Sequence, residues 1–309
     1  MMIMPKNIKK ILHVLMITVL LLGVFAGCSN NVSSTTETST SEFDTSEKST
    51  SENRNSEIKG TLAEITERGK IRIGVFSDKY PFGYVDENGE FQGFDVYIAR
   101  RFAKDLLGDE SKVEFVIVDA ASRVAFLESN KVDIIMANFT VTEERKQKVD
   151  FANPYMKVSL GIVSPESAPI TSVEQLKGKK AIVAKGTTAE TFLTQNYPDI
   201  EQLKFEQYTE IFEALKDGRG DAIVNDNTEV IAWAKKNPGF VVGVPSLGGQ
   251  DTIAPAVKKG NKELLDWINK ELEALGKENF IHQAYDATLA EIYGEDYKEQ
   301  LVIEGGKLE

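Results

Sequence analysis

From Ile71 onward the chain repeats one recipe: a short run rich in β-branched residues, a turn, then a stretch with apolar residues at helical spacing. Residues 71–76 alternate as a strand and break at Ser77, Asp78 and Pro81. The DENG of residues 86–89 is turn chemistry. After it, Val96, Ala99, Phe102, Ala103, Leu106 and Leu107 mark a helix over 93–108. Residues 113–118 give a strand, 122–130 a helix and 132–137 a strand. Strands at 160–163, 181–184 and 222–224 follow, separated by helices near 173–176, 188–195, 211–216 and 228–236. After Pro238 come short strands at 241–244 and 253–257 and an amphipathic helix from 262 to about 275. Such alternation predicts an α/β fold with largely parallel sheets.

One stretch within this series carries chemistry. MANFTVTEERK, residues 136–146, begins as the end of a buried strand and runs through Asn138, Thr140 and Thr142 into a charged helix start. Thr142 is placed to cap the helix, with Glu143 and Glu144 at its positive end. If Thr140 and Arg145 face the crevice beyond the strand end, a hydroxyl, a free amide and a guanidinium fork converge, which makes a carboxylate socket. The alternative for Arg145 is an ion pair with Glu143, Glu144 or Asp150 on a solvated face.

The N-terminus has a different character. Lys6, Lys9 and Lys10 precede an apolar run over 11–26, closed by Gly27 and Cys28, which reads as a secretion signal over 1–27 rather than a membrane span. Residues 29–56 are dominated by Ser and Thr and cannot bury enough surface to order themselves. They form a tether with a reach on the order of 30 Å. The formal net charge is -12, and removing the signal takes away three more positive charges, so a nucleic-acid surface is not expected. Cys28 is the only cysteine, and His282 is the only histidine outside the signal. Zinc sites and Ser-His or Cys-His catalysis are therefore excluded, and His282 is expected on the surface of the last helix. No cofactor or metal is expected.

Four segments in fixed order carry a resemblance: GVFSDKYPFGYVDENGEFQGFDVYIA, KVDIIMANFTVTEERKQKVDFANPYM, VAKGTTAETF and GDAIVNDN. Together they resemble the polar-amino-acid branch of the extracellular solute-binding proteins that serve ABC importers, over residues 65–293. ASRVAFLESNKVDII and DTIAPAVKKGNKEL are most similar to receptors for cysteine or cystine. The resemblance implies a periplasmic-binding-protein-like α/β fold, with two lobes joined by two hinge strands near 154–159 and 247–251. Lobe one would comprise 57–158 and 251–309, and lobe two 159–250. The position of Cys28 after Ala26 and Gly27 resembles a bacterial lipoprotein signal, although Phe25 stands where that signal usually has leucine. A lipidated Cys28, a tether over 28–56 and a monomer held at the outer face of the cytoplasmic membrane beside a permease would follow.

Carried over residue by residue, the resemblance implies that Arg145 forks the ligand's α-carboxylate. Thr140 and the amides of Lys185, Gly186, Thr187 and Thr188 at a helix start would help it. Asp226 would receive the α-ammonium, aided by the backbone of Asn138. A hydrated zwitterion needs that full set of partners to be buried. Asp78, Tyr80 and Phe82 would line the first lobe, and Arg123 would read the side chain. Simpler roles compete at each place: an ordinary cap for 185–188, a cap on the next helix for Asp226, core packing for Phe82 and Tyr84, and an ion pair of Arg123 with Asp119 or Glu128. Aspartate, glutamate or glutamine is the alternative ligand. A dehydratase on the same fold would need a placed general acid. An adhesin or sensor module is the third class.

Overall fold

The structure, a computed structural model, describes residues 60–308. The expected signal segment, Cys28 and the whole tether fall within residues 1–59, which lie outside the described residues. Thirteen strands are present among the described residues: β1 Ile71–Val75, β2 Asp78–Lys79, β3 Gly83–Val85, β4 Phe91–Gln92, β5 Val113–Ile117, β6 Ile134–Ile135, β7 Val149–Phe151, β8 Met156–Pro165, β9 Lys180–Ala184, β10 Glu201–Phe205, β11 Ala222–Asp226, β12 Phe240–Ile253 and β13 Ala256–Lys258.

They form two five-stranded sheets and one small antiparallel sheet of β2, β3 and β4. In the first large sheet the order is β5-β1-β6-β13-β7, with β1 parallel to β5 and β6 and β13 antiparallel to its two neighbours. Consecutive Ile134 and Ile135 of β6 are both fully buried, one in each of two core clusters. A strand covered on both faces reads as an unbroken apolar run, which is why this one is legible in the sequence. The helix Phe94–Leu107 lays Phe94, Ile98 and Phe102 into the same core as Ile71 and Ile73, and it ends at Gly108 in the left-handed conformation. Leu264, Ile268 and Leu272 of the later helix Lys262–Gly276 join that core, so the chain returns to the first lobe near its C-terminus.

The second sheet runs β10-β9-β11-β8-β12, parallel among β10, β9 and β11 and antiparallel where β8 meets β11 and β12. The long strands β8 and β12 connect the two sheets. Strand β8 begins just after β7 of the first sheet, β12 ends just before β13, and the pair is in register from Met156↔Ile253 to Phe240↔Pro165 with three shifts. The expected break between strands at 241–244 and 253–257 is therefore corrected. Residues 240–253 form one strand, in which the shifts at 242/244, 244/247 and 247/251 absorb Gly243, Pro245, Gly248 and Gly249. Residues 173–176 form a 3-10 turn instead of an α-helix. His282 is also corrected: it lies in the helix Phe280–Thr288, half-buried, with Nδ1 2.7 Å from Glu304 Oε2.

Candidate functional site

Residues following β6 form the first lobe's contribution. Asn138 holds a left-handed φ of 43°, a conformation asparagine tolerates better than most residues. Its backbone N–H donates to Asp95 Oδ2 at 2.7 Å, and Asp95 Oδ1 accepts the Tyr155 hydroxyl at 2.6 Å. Asp95 sits in the first turn of the helix Phe94–Leu107 with no exposure. Burial pushes its carboxyl up to about 7 against those two hydrogen bonds. The Asn138 side chain is 1% exposed, and neither its amide oxygen nor its amide nitrogen has a hydrogen-bond partner among the described residues. A buried amide with both ends free is costly.

Two guanidinium groups flank Phe139. Arg123 lies 4.3 Å and Arg145 4.8 Å from its ring centroid. Arg145 stands in the short helix Glu143–Lys146, capped by Thr142, whose Oγ1 accepts the Arg145 N–H at 3.2 Å. Its Nη1 donates to the Thr140 carbonyl at 2.7 Å and its Nη2 to the Gly186 carbonyl of the second lobe at 2.9 Å. The surface ion-pair alternative does not hold, because Glu143 pairs with Lys146, Glu144 with Lys148 and Asp150 with Lys259. Burial and the neighbouring Arg123 pull the Arg145 guanidinium below its ordinary range, with Asp226 opposing. Arg123 is itself buried and pairs with neither Asp119 nor Glu128. It donates to the carbonyls of Ala120, Ala137, Asn138 and, across the lobes, Gly186.

From the second lobe, Gly186 follows β9 with φ 74°, and a Cβ there would stand 2.5 Å from Ala121 Cα of the first lobe. Thr187 caps the helix Thr188–Asn196, accepting the Glu190 N–H at 3.3 Å, and donates its hydroxyl to Ala184. Two expectations for this turn are corrected. The Gly186 amide is taken by Glu190 at 2.7 Å, and the Lys185 amide donates to the Phe205 carbonyl at 2.8 Å, while the Lys185 ammonium pairs with Glu206. Arg145, Phe139, Gly186, Thr188, Leu160 and Asp251 share a cavity of about 520 Å³ between the lobes. Asn138, Thr140, Arg123 and Asp226 are buried and do not line that cavity.

Asp226 ends β11 and makes no side-chain cap on the helix Asn227–Lys236. Its Oδ2 instead lies 2.7 Å from the Nζ of Lys79, which comes from β2 of the first lobe. Glu229 Oε2 is 3.4 Å from the same nitrogen, and the Tyr208 hydroxyl is 3.3 Å away. Burial pushes Glu229 up to about 8, with Lys79 opposing and Asp226 adding. Asp78 accepts the N–H groups of Tyr208 at 2.7 Å and Thr209 at 3.2 Å, at the start of the second-lobe helix Tyr208–Lys216. Tyr80 lies under Lys236, 3.5 Å from ring centroid to Nζ, and lines a separate cavity of about 260 Å³ with Phe212 and Trp233. Phe82 has no exposure and belongs to the first lobe's core, so the expectation that it lines the crevice is corrected.

The geometry therefore joins Arg145, Arg123 and Gly186 in one group and Asp226, Lys79 and Glu229 in another, both spanning the lobes. Sequence reasoning missed Lys79, Asp95, Phe139, Tyr208 and Glu229. Only Asp95 and Glu229 carried a signal, each an acid in the first turn of a helix that follows a strand or loop of the site.

A two-lobed α/β protein on two connecting strands, with polar groups of both lobes turned on the space between them, defines a class of binding protein. Sequence comparison agrees: the chain belongs to the bacterial extracellular solute-binding proteins, family 3, whose profile matches residues 71–290. Among solved structures it is similar to the cysteine-binding protein of Campylobacter jejuni, at 55% identity and a TM-score of 0.78, covering 79% of this chain and 98% of that one. It is similar to the L-cysteine solute receptor of Neisseria gonorrhoeae at 56% identity and the same TM-score, covering 79% of this chain and 100% of the other. The glutamine-binding protein of a Bacillus subtilis ABC transporter is 36% identical over 75% of this chain and 86% of its own length.

Proposed function

We propose that this protein is a receptor that closes on the zwitterion of a polar amino acid, L-cysteine first, and delivers it to an ABC importer. The observation that carries the reading is the buried, unpartnered amide of Asn138, on the turn whose neighbouring carbonyl, at Thr140, holds Arg145. In this reading Arg145, with Thr140 and the Thr188 amide, takes the α-carboxylate, and Asp226 with the Asn138 backbone takes the α-ammonium. Arg123, already committed to four carbonyls, shapes the site through Phe139 rather than reaching the ligand with a free fork. Identity of 55% to a cysteine-binding protein against 36% to a glutamine-binding one favours L-cysteine over glutamine. Lobe one comprises 57–158 and 251–309 and lobe two 159–250 in this reading. Lipid on Cys28 and the Ser/Thr-rich tether hold a monomeric body beside the permease, at the outer face of the cytoplasmic membrane.

The dehydratase alternative needs an uncommitted acid. Among the fully buried acids with raised carboxyls, Asp95 is held by Asn138 and Tyr155 and Glu229 by Lys79 and Asn225, which leaves Asp251 on the cavity wall, raised by burial, as the acid a dehydratase would have to use. The relatives named above are binding proteins, and that favours binding over turnover.

A thermal-shift screen across the amino acids tests the reading. A ligand at about 100 times its dissociation constant adds roughly 2.7 kcal/mol of stability, an easily read rise in melting temperature. L-cysteine is expected to give the largest rise. A larger rise with glutamine moves the assignment to the alternative ligand, and no rise with any amino acid contradicts it.

A further inference from the structure

Lys79 belongs by its backbone to β2 of the first lobe, yet its hydrogen-bond and ion-pair partners all come from the second. Its Nζ is 2.7 Å from Asp226 Oδ2, 3.4 Å from Glu229 Oε2 and 3.3 Å from the Tyr208 hydroxyl, and 4.5 Å from the centre of the Tyr208 ring. The residue is 1% exposed. Burial works against its charge, but Asp226, Tyr208 and Glu229 outweigh burial and hold its pKa above the ordinary lysine value. It is a buried cation paired with acids of the opposite lobe.

The consequence lies in what Lys79 leaves for a ligand. Asp226 gives one oxygen to Lys79, and among the described residues no donor reaches the other. Glu229, one helical turn further on, is occupied by Lys79 and by the Asn225 amide. Asp78, also nearby, accepts the Tyr208 and Thr209 amides through Oδ2, and Asp251 lies on the wall of the cavity with Arg145. Lys79 thus offsets one of the two negative charges of the Asp226–Glu229 pair and leaves Asp226 with one oxygen that no donor reaches among the described residues. Without Lys79 the second lobe would present two adjacent buried carboxylates, which is recognition chemistry for a ligand with two positive charges. Arg123 and Arg145 already add positive charge nearby, since both act with Asp226 on the same electrostatic environment.

We propose that Lys79 is a specificity-determining residue: it fills the Asp226–Glu229 acid pair from the opposite lobe and restricts ligands to amino acids whose only cation is the α-ammonium. Lysine, ornithine and arginine are rejected because their second cation meets the like charge of Lys79 at an acid pair that Lys79 already partly neutralises. This rests on the amino-acid reading above and adds to it the charge class of the ligand.

Calorimetric titration of the wild type, Lys79→Met and Lys79→Arg with L-cysteine, L-glutamine, L-lysine and L-arginine tests it. The wild type is expected to prefer its best neutral amino acid over L-lysine by about a hundredfold or more, in keeping with discrimination built on an unpaired like charge. In Lys79→Met that ratio should shrink by at least about tenfold, because the basic ligands gain the freed carboxylates while the neutral ones do not. Lys79→Arg should restore the wild-type ratio. If Lys79→Met does not fold, Lys79→Gln makes the same charge change while keeping N–H donors, and its ratio decides. A ratio unchanged within about threefold overturns the proposal even if all affinities fall, because Lys79 would then only hold the lobes together. A wild type that binds L-lysine as well as L-cysteine overturns it too. A wild type that binds no amino acid overturns the parent reading and this one with it.

Discussion

Gly186→Ala separates lobe closure from folding. The added Cβ would lie 2.5 Å from Ala121 Cα, 2.6 Å from Ala121 N and 2.9 Å from Ala120 C, all backbone atoms of the facing lobe. Carbon atoms in contact sit at about 3.5–4.0 Å, so the lobes must part here by roughly 1 Å. The Gly186 carbonyl accepts Arg123 Nη2 at 3.2 Å and Arg145 Nη2 at 2.9 Å, and such a displacement takes both beyond hydrogen-bond range. Hydrogen bonds from charged donors contribute about 1.5–3 kcal/mol each, so closure loses about 3 kcal/mol or more, near a hundredfold in ligand affinity. The φ of 74° adds strain of about 1–2 kcal/mol for alanine, but open and closed forms bear it equally, so it lowers the melting temperature without changing affinity. Titration with L-cysteine measures the first effect, and small-angle scattering with and without L-cysteine measures compaction. Wild-type affinity and compaction in the variant would refute the inference that these backbones must touch for the ligand to be held.

Two further outcomes are expected. Asp95 has its carboxyl raised by burial from 3.8 to about 7, so the folded protein holds that proton more tightly than the unfolded chain. The associated stability is present below about pH 4 and is lost as pH rises through about 7, up to about 4 kcal/mol. The neutral Asp95→Asn variant lacks that loss, so the wild type should lose stability relative to it between pH 4 and 7.5 in urea unfolding, whereas a constant difference would show that Asp95 is not perturbed in this way. Palmitate labelling of the full chain in cells should require Cys28, and labelling that persists in Cys28→Ser removes the lipid-anchor proposal.

Much of the fold was legible because buried strands announce themselves. The apolar runs around Ile134 and Ala181 and the spacing of Phe94, Ile98 and Phe102 each follow from burial on two faces or one stripe. Strand β10 is not legible, because EQLKF lies at a sheet edge with Glu201 and Lys204 exposed and carries no apolar run. The resemblance places Phe82 on the crevice wall, with core packing as the alternative, and the local sequence does not decide between them. Only the tertiary packing sends it inward. Lys79 carries no local signal, because its partners lie 147 and 150 residues away in sequence. Arg145 was found because Thr142 and the two glutamates mark a helix start locally, but its contact with Gly186 depends on the second lobe.

The most direct test of the amino-acid site is calorimetric titration of L-cysteine into the wild type, Arg145→Met and Asp226→Asn. Truncating one partner of a buried charged contact typically costs about 2–5 kcal/mol, so each variant should bind at least tens-fold more weakly. Near wild-type affinity in Arg145→Met, with the protein folded, would mean that the ligand's carboxylate is held elsewhere and that the site is wrongly placed.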